Sequence, residues 1–175
     1  MRKTFFSTLT DIARHDPSLM FMTGDLGFMA VEPYRDAVPG QFHNAGAAES
    51  NMVGMAAGMA MAGRHVFVYS IVPFITLRVY EFIRNDICYP KLPVTLVGVG
   101  AGFSYSNQGF THHATEDLSV MRALPNMTVL SPADPSEVEG AVRALAVFQG
   151  PAYLRLGKAG EPKLHREPLS FKIGC

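Results

Sequence analysis

The chain has 175 residues, 48% of them apolar, with 15 Lys and Arg balanced by 15 Asp and Glu. That length suits one domain with a full core, since a chain of about 150 residues hides roughly 70% of its unfolded surface. Zero net charge argues against a nucleic-acid binder or a polybasic membrane anchor, and no apolar run of about 18 residues reads as a membrane span. Met1-Arg2-Lys3 leads into an amphipathic pattern without the apolar stretch and cleavage site of a signal peptide. The two cysteines, Cys88 and Cys175, lie far apart and outside any metal-ligand spacing, so they read as reduced cytosolic thiols.

Along the chain, Phe5, Phe6, Leu9, Ile12 and Ala13 fall at helical spacing and predict a helix from Lys3 to Arg14. Leu19 to Thr23 is a short apolar run ending at Gly24-Asp25, a buried strand followed by a turn. Phe42 to Asn44 is a weaker strand. Glu49 to Met61 is strongly helical and closed by Gly63. His65 to Tyr69 is a strand, Phe74 to Asp86 has helical periodicity, and Pro93 to Val99 and Met127 to Leu130 are apolar strands. Pro135 to Val147 predicts a helix with Asp134 as its N-cap, and Ala152 to Leu156 a last strand. Lys163 to Cys175 is polar at first and then strand-like.

Strands separated by helices imply a doubly wound α/β fold: a mostly parallel sheet of about six strands with helices on both faces. Sites in such sheets lie beyond the carboxyl ends of the strands. Asp25, Phe74 and the loop from Gly100 to Asp117 all directly follow a predicted strand. Residues 1–162 are expected to form one domain, and 163–175 a linker or the start of a further domain.

The stretch from Asn44 to Gly63 carries the most chemistry. Its helix has a smooth face of Gly54, Ala57, Gly58 and Ala60, and Glu49 stands at its start in otherwise apolar surroundings. Spacing alone leaves Glu49 open between a first-turn acid favoured by the helix dipole and a functional carboxylate. The stretch resembles the glutamate motif of thiamine-diphosphate enzymes of the transketolase, deoxyxylulose-phosphate synthase and ketoacid dehydrogenase β-subunit group. In that group the glutamate hydrogen-bonds N1′ of the cofactor's aminopyrimidine and exchanges a proton with it. The resemblance therefore implies that Glu49 is the catalytic acid/base, in a dry pocket of the kind that tunes carboxyl groups.

The stretch Tyr69 to Pro90 is similar to the strand and helix that follow in split transketolases, including Arg78-Val79-Tyr80-Glu81. The resemblance implies that Phe74 stacks on the aminopyrimidine, with Ile71 where relatives carry a second aromatic. Asn107 to Leu118 is similar to the loop whose histidine lies beside the reacting carbons. His112 takes that position, to relay protons to substrate oxygens, and His113 stands where relatives carry glutamine. Three substrate-side positions depart from the family pattern. Gly100 replaces a phosphate-binding histidine, Gln108 an aspartate that contacts a sugar hydroxyl, and Lys158 a phosphate-gripping arginine, keeping the charge without the bidentate fork.

Gly24-Asp25-Leu26 resembles a family turn at the subunit interface, near cofactor held by the partner. It is not the Gly-Asp-Gly metal-diphosphate motif, because Leu26 replaces the second glycine and Asn51 belongs to the glutamate helix. No protein ligand for a metal is assigned. The resemblance thus implies thiamine diphosphate with Mg²⁺ and diphosphate held by a partner subunit, in a homodimer or hetero-oligomer. The implied activity is transfer of a two-carbon ketol unit between sugar-phosphate-like substrates. A β-type subunit acting on 2-oxo acids, a deoxyxylulose-phosphate-synthase-like carboligase and a non-catalytic assembly subunit are the alternatives.

Overall fold

A computed structural model describes residues 1–165 and 169–174, so Cys175 lies outside the described residues. The six strands are β1 Leu19–Thr23, β2 Phe42–Asn44, β3 His65–Ile71, β4 Val94–Val99, β5 Thr128–Leu130 and β6 Ala152–Leu156. They form one sheet in the order β2-β1-β3-β4-β6-β5, and every pairing is parallel, as the alternation of segments predicts. The central strands read as near-continuous apolar runs because both of their faces are covered.

The covering helices are α1 Arg2–Ala13, α2 Glu32–Ala37, α3 Glu49–Met61, α4 Val72–Ile75, α5 Tyr80–Phe82, α6 Asp117–Arg122 and α7 Pro135–Leu145. Side chains alternate across β3. Phe67 and Tyr69 join Phe5, Phe6, Phe21 and Tyr34 in an aromatic core on the α1–α7 side, whereas Val66 and Val68 meet Met52, Val53, Ala56 and Ala60 of α3 on the other. Phe5 stacks on Tyr69 at 6.1 Å and Phe6 meets Phe21 edge-on at 5.5 Å. Each such pair adds about 0.5–1.5 kcal/mol beyond the area it buries. Gly54 and Gly58 weaken α3 by about 1 kcal/mol each relative to alanine. A Cβ on either would meet nothing within 4 Å, so no contact among the described residues requires them to be small.

From β1 the chain moves to one side for β2 and to the other side for β3. That reversal opens a crevice at the carboxyl ends of β1 and β3, where ligands bind in open α/β sheets.

Four segments differ from the sequence reading. The helix expected from Phe74 to Asp86 is broken: α4 ends at Ile75, and α5 runs on into a wide π turn, Ile83–Cys88. The Thr76 hydroxyl donates back to the Val72 carbonyl at 2.7 Å, and its backbone is displaced from ideal helical angles at φ −117°, ψ −77°. Val79, Ile83 and Ile87 recur every fourth residue and are all buried, and the wide turn keeps this longer spacing aligned on the core. The described part of the 163–175 tail holds no strand. Instead the Leu164 and His165 N–H groups donate to Asp134 Oδ2 at 2.7 and 2.9 Å, and Phe171 fills the space where a Cβ at Gly140 of α7 would sit. The short helices α2 and α6 fall where no helix was expected.

Asp134 caps α7 as predicted, its Oδ1 accepting from the Glu137 N–H at 2.9 Å. Burial alone would raise its carboxyl, but the N–H donors of Glu137, His165 and Leu164 outweigh it and hold the group well below the usual carboxylate range. A depressed folded-state value adds stability above the unfolded value of about 4, lost as pH falls through the folded one. Asp134→Asn should therefore be less stable than the parent at neutral pH, and melting curves of the two should converge progressively below about pH 4.

Candidate active site

The crevice is built by turns that follow β1, β2 and β3. Asp25 sits in the left-handed region (φ 55°), which an aspartate tolerates better than most residues. The Asn44 side chain locks this turn to the next: its Oδ1 accepts from the Asp25 and Gly46 N–H groups at 2.9 and 3.0 Å, and its Nδ2 donates to Asp25 Oδ1 at 3.0 Å. Gly24 lies directly against Glu49, and a Cβ there would be 3.8 Å from Glu49 Cγ and 3.3 Å from the Gly46 carbonyl. Leu26 and Ile71 are half-buried and pack on the α1–α7 core.

Glu49 is the first residue of α3 and only 5% exposed. Its surroundings are not wholly apolar, as the sequence reading had them, because Arg78 Nη1 donates to its Oε2 at 3.1 Å. The same guanidinium lies over the ring of Phe74, with Cζ 5.0 Å from the centroid. His112 meets Phe74 edge-on at 5.1 Å, and its Nδ1 is 3.0 Å from Thr111 Oγ1. Glu49, Arg78, Phe74 and His112 thus form one continuous cluster, drawn from α3, the break after α4, α4 and the loop beyond β4.

A second cluster adjoins the first. Tyr105 approaches His112 at 6.1 Å, and Lys158 Nζ lies 4.6 Å above the Tyr105 ring. Gly100 has φ +94°, and any Cβ there would collide with the Tyr105 ring. The bare position at the end of β4 is therefore filled by Tyr105, a residue the sequence reading did not single out. Gln108 is exposed on the turn Ser106–Gln108, and His113 meets Phe103 edge-on at 4.9 Å.

The loop beyond β4 is anchored from below by a buried ion pair. Asp117, 1% exposed, receives Arg155 Nε at 2.9 Å on Oδ2 and Arg155 Nη2 at 3.2 Å on Oδ1. The Tyr153 hydroxyl donates to the same Oδ2 at 2.7 Å, and Arg155 Nη2 also reaches the Ala114 carbonyl at 3.1 Å. Burial and then the adjacent Asp117 push the Tyr153 phenol well above its usual range, so it stays a donor. A charge inside the apolar strand of Arg155 was the available signal for this pair, since buried charges demand partners.

Residues 1–161 match the family model described as transketolase, pyrimidine binding domain. The chain belongs to that family. It is 37% identical to a protein of Methanocaldococcus jannaschii named as a putative transketolase C-terminal section, covering 99% of this chain and 56% of the relative. It is 33% identical to an apulose-4-phosphate transketolase subunit of Phocaeicola vulgatus, again over 99% of this chain and 56% of the relative. A solved split-gene transketolase, described as an inactive β4 tetramer, superposes with a TM-score of 0.87 at 35% identity, over 98% of this chain and 55% of that one. The chain thus spans about half the length of these relatives.

Membership in the transketolase pyrimidine-binding family implies dependence on thiamine diphosphate. The crevice fits the aminopyrimidine end of such a cofactor. Between Glu49 and Phe74 it already holds one planar cation, the guanidinium of Arg78, by a hydrogen bond to the carboxylate and a cation–π contact with the ring.

Arg155→Met would leave Asp117 buried without its charge partner. Loss of one member of a buried pair costs about 3–5 kcal/mol. Chemical denaturation should show that drop, whereas Tyr153→Phe should cost about 1–2 kcal/mol for one lost hydrogen bond.

Proposed function

We propose that this chain is the pyrimidine-binding subunit of a split transketolase, whose partner subunit holds the diphosphate and Mg²⁺. The complex transfers a two-carbon ketol unit between sugar-phosphate-like substrates. The observation that carries this reading is the buried Glu49 carboxylate facing the Phe74 ring across a slot that accepts a planar cation. Glu49 and Phe74 would hold the aminopyrimidine of thiamine diphosphate, which would supply a nucleophilic carbon when bound there.

Glu49 holds and exchanges a proton at the pyrimidine nitrogen, in a position shielded from water. Phe74 gives the ring a flat apolar face and fixes its plane. His112, held edge-on against Phe74, stands next to that slot and moves protons at the substrate oxygens. Lys158, poised over Tyr105, offers a positive charge to a terminal anionic group, while Gly100 admits the Tyr105 ring and Gln108 stands exposed on the substrate side. Asp25, Leu26 and Ile71 shape the rim beside the cofactor.

The need for a partner is supported by the relatives, one named as a transketolase subunit and one described as an inactive β4 tetramer. It is supported too by Gly54 and Gly58 of α3, whose smallness no contact among the described residues requires, and by Phe28, Met29 and Phe110, which stand exposed at the same rim. The described part of 163–175 stays packed on α7, and we propose that the segment serves as a linker or the start of a further domain.

In the assembled complex, Glu49→Gln should lower kcat on ketose phosphates by about 100-fold or more, the usual weight of a general acid/base. Unchanged turnover would sink the proposal. Activity on 2-oxo acids but not on ketose phosphates would reassign the substrate class.

A further inference from the structure

We infer that Arg78 is a positioning residue that occupies the pyrimidine slot and is exchanged for the cofactor ring on binding. This rests on the roles proposed above for Glu49 and Phe74. The guanidinium makes two contacts at once: a hydrogen bond from Nη1 to Glu49 Oε2 at 3.1 Å, and a cation–π contact with Cζ 5.0 Å from the Phe74 centroid. A protonated aminopyrimidine has the same chemistry, being flat and cationic with an in-plane N–H. His112 already lies edge-on against Phe74. The ring and the guanidinium therefore compete for one carboxylate and one aromatic face.

The two partners differ in how they are held. Glu49 is 5% exposed, whereas the Arg78 side chain is 56% exposed. Arg78 also sits on the non-helical break Thr76–Val79 between α4 and α5, not within a packed helix. It can swing outward and keep its charge hydrated, while the carboxylate stays in place. Until the ring arrives, Arg78 keeps Glu49 from being a buried charge without a partner and holds the carboxylate turned toward the slot. The exchange subtracts the Arg78 contacts from the net affinity for the cofactor, as any competing occupant of a site does.

The test is titration of thiamine diphosphate, with Mg²⁺, into the complex of this chain with its diphosphate-binding partner, followed by calorimetry and by thermal melting. Arg78→Ala should bind the cofactor about ten-fold tighter, equivalent to about 1.4 kcal/mol. Arg78→Lys, which keeps the charge but loses the flat face, should fall between parent and alanine variant. Without cofactor the alanine complex should melt below the parent, and saturating cofactor should raise its Tm by more than it raises the parent's. Equal or weaker cofactor affinity in Arg78→Ala, or an equal Tm rise, overturns the inference. Glu49→Gln separates the two readings. If it weakens binding while Arg78→Ala changes nothing, only the exchange is wrong. If it leaves binding intact, the assignment of the pyrimidine slot fails, and this inference with it.

Discussion

Parallel pairing of all six strands is the constraint on which the rest of the molecule depends. It sends every strand's carboxyl end to the same rim, so residues far apart in the chain emerge as neighbours. Glu49 follows β2, Phe74 and Arg78 follow β3, His112 follows β4 and Lys158 follows β6. Reversal of strand order between β1 and β3 then decides where on that rim the crevice opens. The fold therefore does most of the assembly before any side chain makes a specific contact.

Two buried carboxylates near that rim show how environment divides labour. Asp117 is fully engaged by the fork of Arg155 and the hydroxyl of Tyr153, and it fixes the floor beneath the β4 loop. Glu49 has a single charged partner, on a long side chain that reaches out to solvent. The first arrangement suits rigidity, because both carboxylate oxygens accept hydrogen bonds from residues of β6. The second leaves the carboxylate open to another partner, because the exposed Arg78 can be replaced at little cost to the scaffold.

Much of this was legible in the sequence. The strands appeared as short apolar runs, α3 was bounded by Glu49 and Gly63, and Asp134 announced the start of α7. Glu49 was legible because a lone acid opened a helix of small and apolar residues, and the family resemblance gave it a role. Arg78 was harder. Helical periodicity ran through its position, and only the back-bond of Thr76 and the π turn beyond reveal that the chain breaks there and turns the guanidinium toward Glu49. Tyr105 lay in a loop with no period to read. Asp117 and Arg155 are 38 positions apart, and nothing local in either segment names the other.

The fit of Tyr105 over Gly100 has an evolutionary consequence. A side chain at position 100 is blocked by the tyrosine ring, and removal of the ring leaves Lys158 without its platform. Either change alone meets a penalty, so a drift toward a different rim surface has to alter both positions together. Positions 100, 105 and 158 form one epistatic unit, and libraries that vary them singly would miss the surfaces that only joint changes at this rim can reach.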